Sequence, residues 1–203
     1  MKITPLAILA LASSSTLSFG AAGMFEELLW TSTNPSFSFT DPGTTFYEID
    51  SDTSNLFGAL EFQGANLGTY NVGDTLFLTG EQKSFKNNGT DVTAHTLSYS
   101  LNGVTFTDFS YNFEADLGGG DQRWGRANAG GLTGNILDGL TPGNYTLEVF
   151  SSITTNSVDS GPTVFNNNGG SNFSATFTVV PEPSTSALIG LSLVGLVARR
   201  RRA

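Results

Sequence analysis

From Thr96 to Glu114 the chain reads TLSYSLNGVTFTDFSYNFE, with apolar and polar residues alternating around an Asn-Gly pair. That period belongs to a strand with one buried face, because successive side chains of an extended chain point to opposite sides. Asn102-Gly103 is a preferred two-residue hairpin turn, since both residues tolerate positive φ. Such a turn pairs Leu101 with Val104 and Tyr99 with Phe106, gathering apolar side chains on one face. Phe109, Tyr111 and Phe113 continue on the opposite parity. The slip near Thr107-Asp108 predicts a bulge or a strand that changes sheets.

The rest of the body, Gly23 to Val179, repeats the pattern. Ser36 to Thr40 alternates, as does Thr75 to Thr79 more loosely, and Phe173, Ala175, Phe177 and Val179 share one side of a last strand. The 24 glycines and the many Ser, Thr and Asn residues supply turns between these segments. No amphipathic helix of useful length is evident; Phe25 to Trp30 makes one or two turns at most. Many short strands at this spacing predict an all-β fold, an antiparallel β-sandwich of immunoglobulin-like or jelly-roll-like type. A β-barrel and a single-sheet solenoid are the competing closures. Leu140, Gly143, Tyr145, Leu147 and Val149 form an L-x-x-G-x-Y-x-L-x-V pattern that resembles immunoglobulin-like and other exported bacterial sandwich modules.

Charge and cysteine content narrow the function classes. Between Ala21 and Val180 only Lys83, Lys86, Arg123 and Arg126 oppose seventeen carboxylates, so the body carries about −13. A body of that sign repels nucleic acid and anionic lipid, and no basic patch with interleaved aromatics is present. The chain has no cysteine, which removes disulfides, thiolate metal sites and cysteine nucleophiles from consideration.

Candidate chemistry is sparse. His95, the only histidine, shares parity with Leu97 and Tyr99 and is expected in the core or at a strand end. With no second His, a zinc or copper site has little to build on. Glu114, Asp116 and Asp121 flank Gly118 to Gly120 in an expected loop, where clustered oxygens are a candidate calcium site; Asp50 and Asp52 form a second carboxylate pair. Two carboxylates could equally serve a glycan hydrolase, although no G-x-S-x-G elbow marks a nucleophile. Trp124, between Arg123 and Arg126, is a candidate for stacking on a sugar ring if it lies in an exposed loop, or a core residue if it closes the sandwich. Trp30 and Tyr47 carry the same ambiguity.

The two ends read as addresses. Residues 1–22 have Lys2, an apolar stretch from about Leu6 to Ala12 and then small residues, the layout of a secretory signal peptide. Ser18 with Gly20, or Gly20 with Ala22, fills the two small positions before cleavage. Residues 180–203 run Val-Pro-Glu-Pro-Ser-Thr, an apolar stretch and four arginines. Ala187 to Ala198 is about 18 Å long as a helix, a marginal membrane span, and the arginines beyond it favour a cytoplasmic end. Pro181 and Pro183 keep the preceding segment extended and accessible to a processing enzyme. Pro181, Glu182, Pro183, the apolar run and Arg199, Arg200, Arg201 and Arg202 resemble the PEP-CTERM sorting signal of Gram-negative bacteria. The resemblance implies passage through the general secretion machinery, transient inner-membrane insertion, recognition by an exosortase-like enzyme, and an association with exopolysaccharide. The expectation is a non-catalytic, structural or adhesive protein of the cell envelope or extracellular matrix. A carbohydrate-binding module and a glycan-active hydrolase are the alternatives.

Overall fold

The alternating segments become twelve strands in the residues that the structure, a computed structural model, describes: 20–36, 43–49, 58–125 and 131–182. In chain order they are β1 (Ala22–Ser32), β2 (Thr45–Glu48), β3 (Leu60–Glu61), β4 (Asn66–Asn71), β5 (Phe77–Lys86), β6 (Val92–Leu101), β7 (Thr107–Tyr111), β8 (Phe113–Gly118), β9 (Asp121–Gly125), β10 (Gly143–Thr155), β11 (Thr163–Asn166) and β12 (Phe173–Val180). One sheet runs β3-β2-β1-β5-β9-β8; the other runs β4-β12-β10-β6-β7, with β11 added beside β10. The two sheets pack into the expected sandwich. They are mixed rather than purely antiparallel, because β2–β3 and β4–β12 pair in parallel. The chain reaches β12 through Gly64 and Ala65, whose N–H and C=O bond to Ser174 and Thr176, and so runs alongside the strand in its own direction.

Period two sorts the side chains cleanly on β10 and β12, whereas β1 and β5 are buried on both faces over much of their length. On β10 Leu147, Val149, Ser151 and Ile153 are buried, while Thr146, Glu148, Phe150 and Ser152 lie on the opposite face. Leu29, Leu78, Leu97, Tyr111, Trp124 and Phe177 fill the space between the sheets with them. Tyr111 lies against the backbone of the opposite sheet: a methyl group on Gly80 would collide with its hydroxyl and with the Leu28 carbonyl. Glycine at position 80 is therefore a packing requirement.

The Asn102-Gly103 turn forms, with φ of 54° and 65° and a Val104 N–H to Leu101 C=O bond of 3.3 Å. The expected register does not follow from it. Strand pairing starts at Tyr99 with Thr107 and continues through Leu97 with Phe109 and His95 with Tyr111. The turn is drawn toward β10 instead: Asn102 N–H donates to the Thr146 carbonyl (2.8 Å), and Asn102 Oδ1 accepts from Thr146 N–H (2.9 Å). Residues 102–106 thus form a longer loop, and the change of parity falls inside it rather than at a bulge. The change of sheet comes later, at Asn112 between β7 and β8.

The first described residues already belong to the fold. Ser157 Oγ donates to the Gly20 carbonyl (2.7 Å), Ala21 N–H donates to Asn87 Oδ1 (2.7 Å), and Ala22 N–H donates to Ser160 Oγ (3.0 Å). At the other end the Val180 carbonyl accepts from Val72 N–H (2.9 Å), and Pro181, which has no N–H to offer a ladder, follows the last strand. Residues 1–19, most of the Ser36 to Thr40 segment, Asp50, Asp52, and residues 183–203 with Pro183 and Arg199 to Arg202 lie outside the described residues. Among the described residues no helix is long and apolar enough to cross a membrane.

Candidate functional site

Trp124 is not in a surface loop. It sits on β9 opposite Gln82, is 8% exposed, and stacks on His95 with ring centroids 4.9 Å apart. Phe113 meets it edge-on at 5.4 Å. A ring enclosed in this way has no face left for a sugar, so the stacking role expected of an exposed Trp124 fails on geometry. Trp30 and Tyr47 are buried as well.

His95 is fully buried on β6 and spans the gap to β5. Its Nδ1 lies 2.8 Å from Gln82 Oε1 and its Nε2 3.0 Å from Ser84 Oγ. With Gln82 accepting, Nδ1 carries the proton and Nε2 accepts from the Ser84 hydroxyl. Burial penalises the charged ring and holds its pKa down to about 3. A neutral imidazole at ordinary pH, bonded at both nitrogens, fastens one sheet to the other.

A second buried polar group went unnoticed in the sequence. Glu27 on β1 is 1% exposed and reaches across the sandwich to accept from Ser151 Oγ (2.5 Å) and from the Asn166 amide, which also donates to the Ile49 carbonyl (2.6 Å). Tyr111 lies near it, and burial first, then the Glu27 charge, pushes the phenol upward. Glu26 and Glu27 adjoin in the sequence, and nothing local says which of the two turns inward.

Glu114, Asp116 and Asp121 sit on the β8–β9 hairpin rather than in an open loop. Glu114 is bonded to Arg123, at 2.9 Å from Nε and 3.3 Å from Nη2. Asp116 stands opposite Gln122 and Asp121 opposite Gly118. Among the described residues no three His, Cys, Asp or Glu side chains come together as a metal site.

The outer face of the second sheet combines two features. Phe150 on β10 meets Phe106 at 5.1 Å and Phe165 on β11 at 6.3 Å, forming an aromatic ridge; Phe165 is 56% exposed. Farther along β10 lies an open cleft of about 310 Å³ lined by Asn66, Asn144, Thr146, Thr176 and Thr178, together with Tyr145 and Phe177. The sequence held a signal for the ridge: Phe150 occupies the polar parity of Asn144, Thr146 and Glu148.

Pro181 and Glu182, the first residues of the expected sorting signal, are exposed immediately after β12. Residues 179–202 match the family model of the PEP-CTERM protein-sorting motif. No curated protein matches the chain. The motif implies an exported, cell-envelope-associated protein that is processed by an exosortase.

Proposed function

Because the chain carries a PEP-CTERM sorting motif, we propose that its body is a non-catalytic structural or adhesive component of the cell surface or extracellular matrix. The observation that carries this reading is the state of the Ser–His pair found among the described residues. Ser84 and His95 lie 3.0 Å apart, the spacing of a nucleophile and its base, yet neither is exposed to solvent. An imidazole with a pKa near 3 is a poor base at neutral pH, and a substrate has no path to the Ser84 hydroxyl. The pair supports packing between sheets rather than turnover. The acidic hairpin points the same way, since Glu114 is neutralised by Arg123.

Fractionation of the native cells tests the reading. The protein belongs in the surface or extracellular fraction, shortened at the sorting segment, and releases no sugar from a panel of polysaccharides. Recovery from the cytosol at full length would remove the structural role. Release of sugar from any polysaccharide, abolished by replacing Glu114, Asp116 or Asp121, would replace it with a hydrolase.

A further inference from the structure

We infer that the outer face of the second sheet binds a neutral polysaccharide chain, laid across the Phe106–Phe150–Phe165 ridge and held by the amides and hydroxyls of the adjoining cleft. This deepens the matrix reading above and rests on it.

The ridge comes first. Apolar rings at the polar parity of a strand stabilise no core, and Phe165 remains more than half exposed on an edge strand. A sugar ring presents an apolar C–H face that packs on such a ring, and polar groups nearby then fix its hydroxyls. Those groups are present on the same face. Thr178 Oγ1 donates to Asn144 Oδ1 (2.8 Å) and Thr176 Oγ1 to the Ala65 carbonyl (3.5 Å), so the hydroxyl oxygens offer their lone pairs and Asn144 its amide N–H groups to a ligand, and among the described residues no charged one lines the cleft. The two carboxylates near the ridge have partners within the face: Asp108 accepts from Ser98 Oγ at 2.6 Å and Glu148 from Asn172 Nδ2 at 3.4 Å.

Charge selects among polymers. A body of about −13 repels polyuronates and nucleic acid, and a cleft without fixed charge offers a cation nothing. The complementary occupant is an uncharged, hydroxyl-rich chain. Shape favours a polymer over a single sugar, because the cleft is open and Asn144 lies about 20 Å along β10 from Phe150.

The test is affinity electrophoresis of the protein isolated from its own cells, in gels cast with hydroxyethylcellulose, dextran or alginate. Retardation is expected in at least one neutral gel and not in alginate. The double variant Phe150→Ser/Phe165→Ser should weaken that binding about tenfold or more. Thr176→Val, which removes one hydroxyl at constant volume, should weaken it severalfold. Trp124→Phe should leave it unchanged. Thermal melts of each variant show whether a loss reflects unfolding; Phe165→Ser alone, at an exposed edge position, serves if the double variant is unstable. Retention unaltered in the ridge variants, equal retardation by alginate, or no retardation in either neutral gel would overturn the inference. So would self-association abolished by the ridge variants without polysaccharide binding, which would assign the ridge to a second copy. A surface-located protein that binds no neutral chain contradicts this inference alone; a cytosolic, full-length protein contradicts the structural reading.

Discussion

Strand β10 has two faces of opposite character. Leu147, Val149, Ser151 and Ile153 turn inward and are sealed, and even the polar member of the set, Ser151, is bonded to Glu27 at 2.5 Å. Asn144, Thr146, Glu148, Phe150 and Ser152 turn outward onto a surface with an open cleft and an aromatic ridge. The backbone is the same, so the difference lies in what each face meets. Inside, His95 bonds Gln82 and Ser84, and Glu27 bonds Ser151, across the sheets, contributing stability and register. Outside, the amides and hydroxyls bond only in part within the face, as Thr178 does to Asn144 at 2.8 Å, and their remaining donors and lone pairs face solvent. Chemistry-bearing residue types are therefore a poor guide here, because the histidine, Trp124 and a buried glutamate belong to the core between the sheets, while Trp30 is buried in a separate cluster with Leu28, Ala59 and Phe46.

The largest effect that could break this contrast is at Trp124. Trp124→Ala should destabilise the fold by about 3–5 kcal/mol in urea denaturation, the usual cost of removing a buried tryptophan. A change below about 1 kcal/mol would return Trp124 to the surface. Next comes Glu27→Ala, which leaves the Ser151 hydroxyl without its Glu27 partner and the Asn166 amide with only the Ile49 carbonyl. An expected loss of about 2–4 kcal/mol, measured the same way, follows from stranding buried polar groups.

Acid sharpens the comparison through His95. Its folded pKa of about 3 lies below the unfolded value of about 6.5, so between those limits unfolding takes up a proton that the folded ring refuses. Stability from this group is complete above pH 6.5 and falls as the pH drops, by about 2 kcal/mol at pH 5. Asp91, held low by its bond to Lys86, loses its own contribution further down, as the pH falls from the ordinary carboxylate value of 3.8 toward the lower folded one. Urea midpoints between pH 7 and 5 should therefore decline in the native chain and flatten in His95→Gln. A decline unchanged in that variant would assign the acid sensitivity elsewhere. The smallest effect is on the outer face, where Phe165→Ser should shift stability by no more than about 0.5 kcal/mol.

Much of the architecture was legible because period two is a local signal. β10 and β12 alternate in the sequence as they do in the fold, and Pro181 ends the last strand where its missing N–H requires. The register of β6 with β7 was not legible, since it depends on Asn102 bonding to Thr146, forty-four residues away. The inward turn of Glu27 likewise depends on Ser151 and Asn166, which only the assembled sandwich brings near. Trp124 misled because glycines and arginines around it suggested a loop, whereas β9 pairs on both sides and carries its ring inward. The sorting segment was readable because it acts as a linear sequence, independent of what the body packs against.

Acrylamide quenching of tryptophan fluorescence in the native protein tests the division of the two faces most directly. Trp30 is 0% exposed and Trp124 8%, and no other tryptophan is present in the chain. All of the emission should therefore resist quenching until the protein unfolds, with saturating neutral polysaccharide leaving it unchanged. A component amounting to about half the emission, quenched freely in the folded protein and lost in Trp124→Phe, would place Trp124 on the surface and contradict the account.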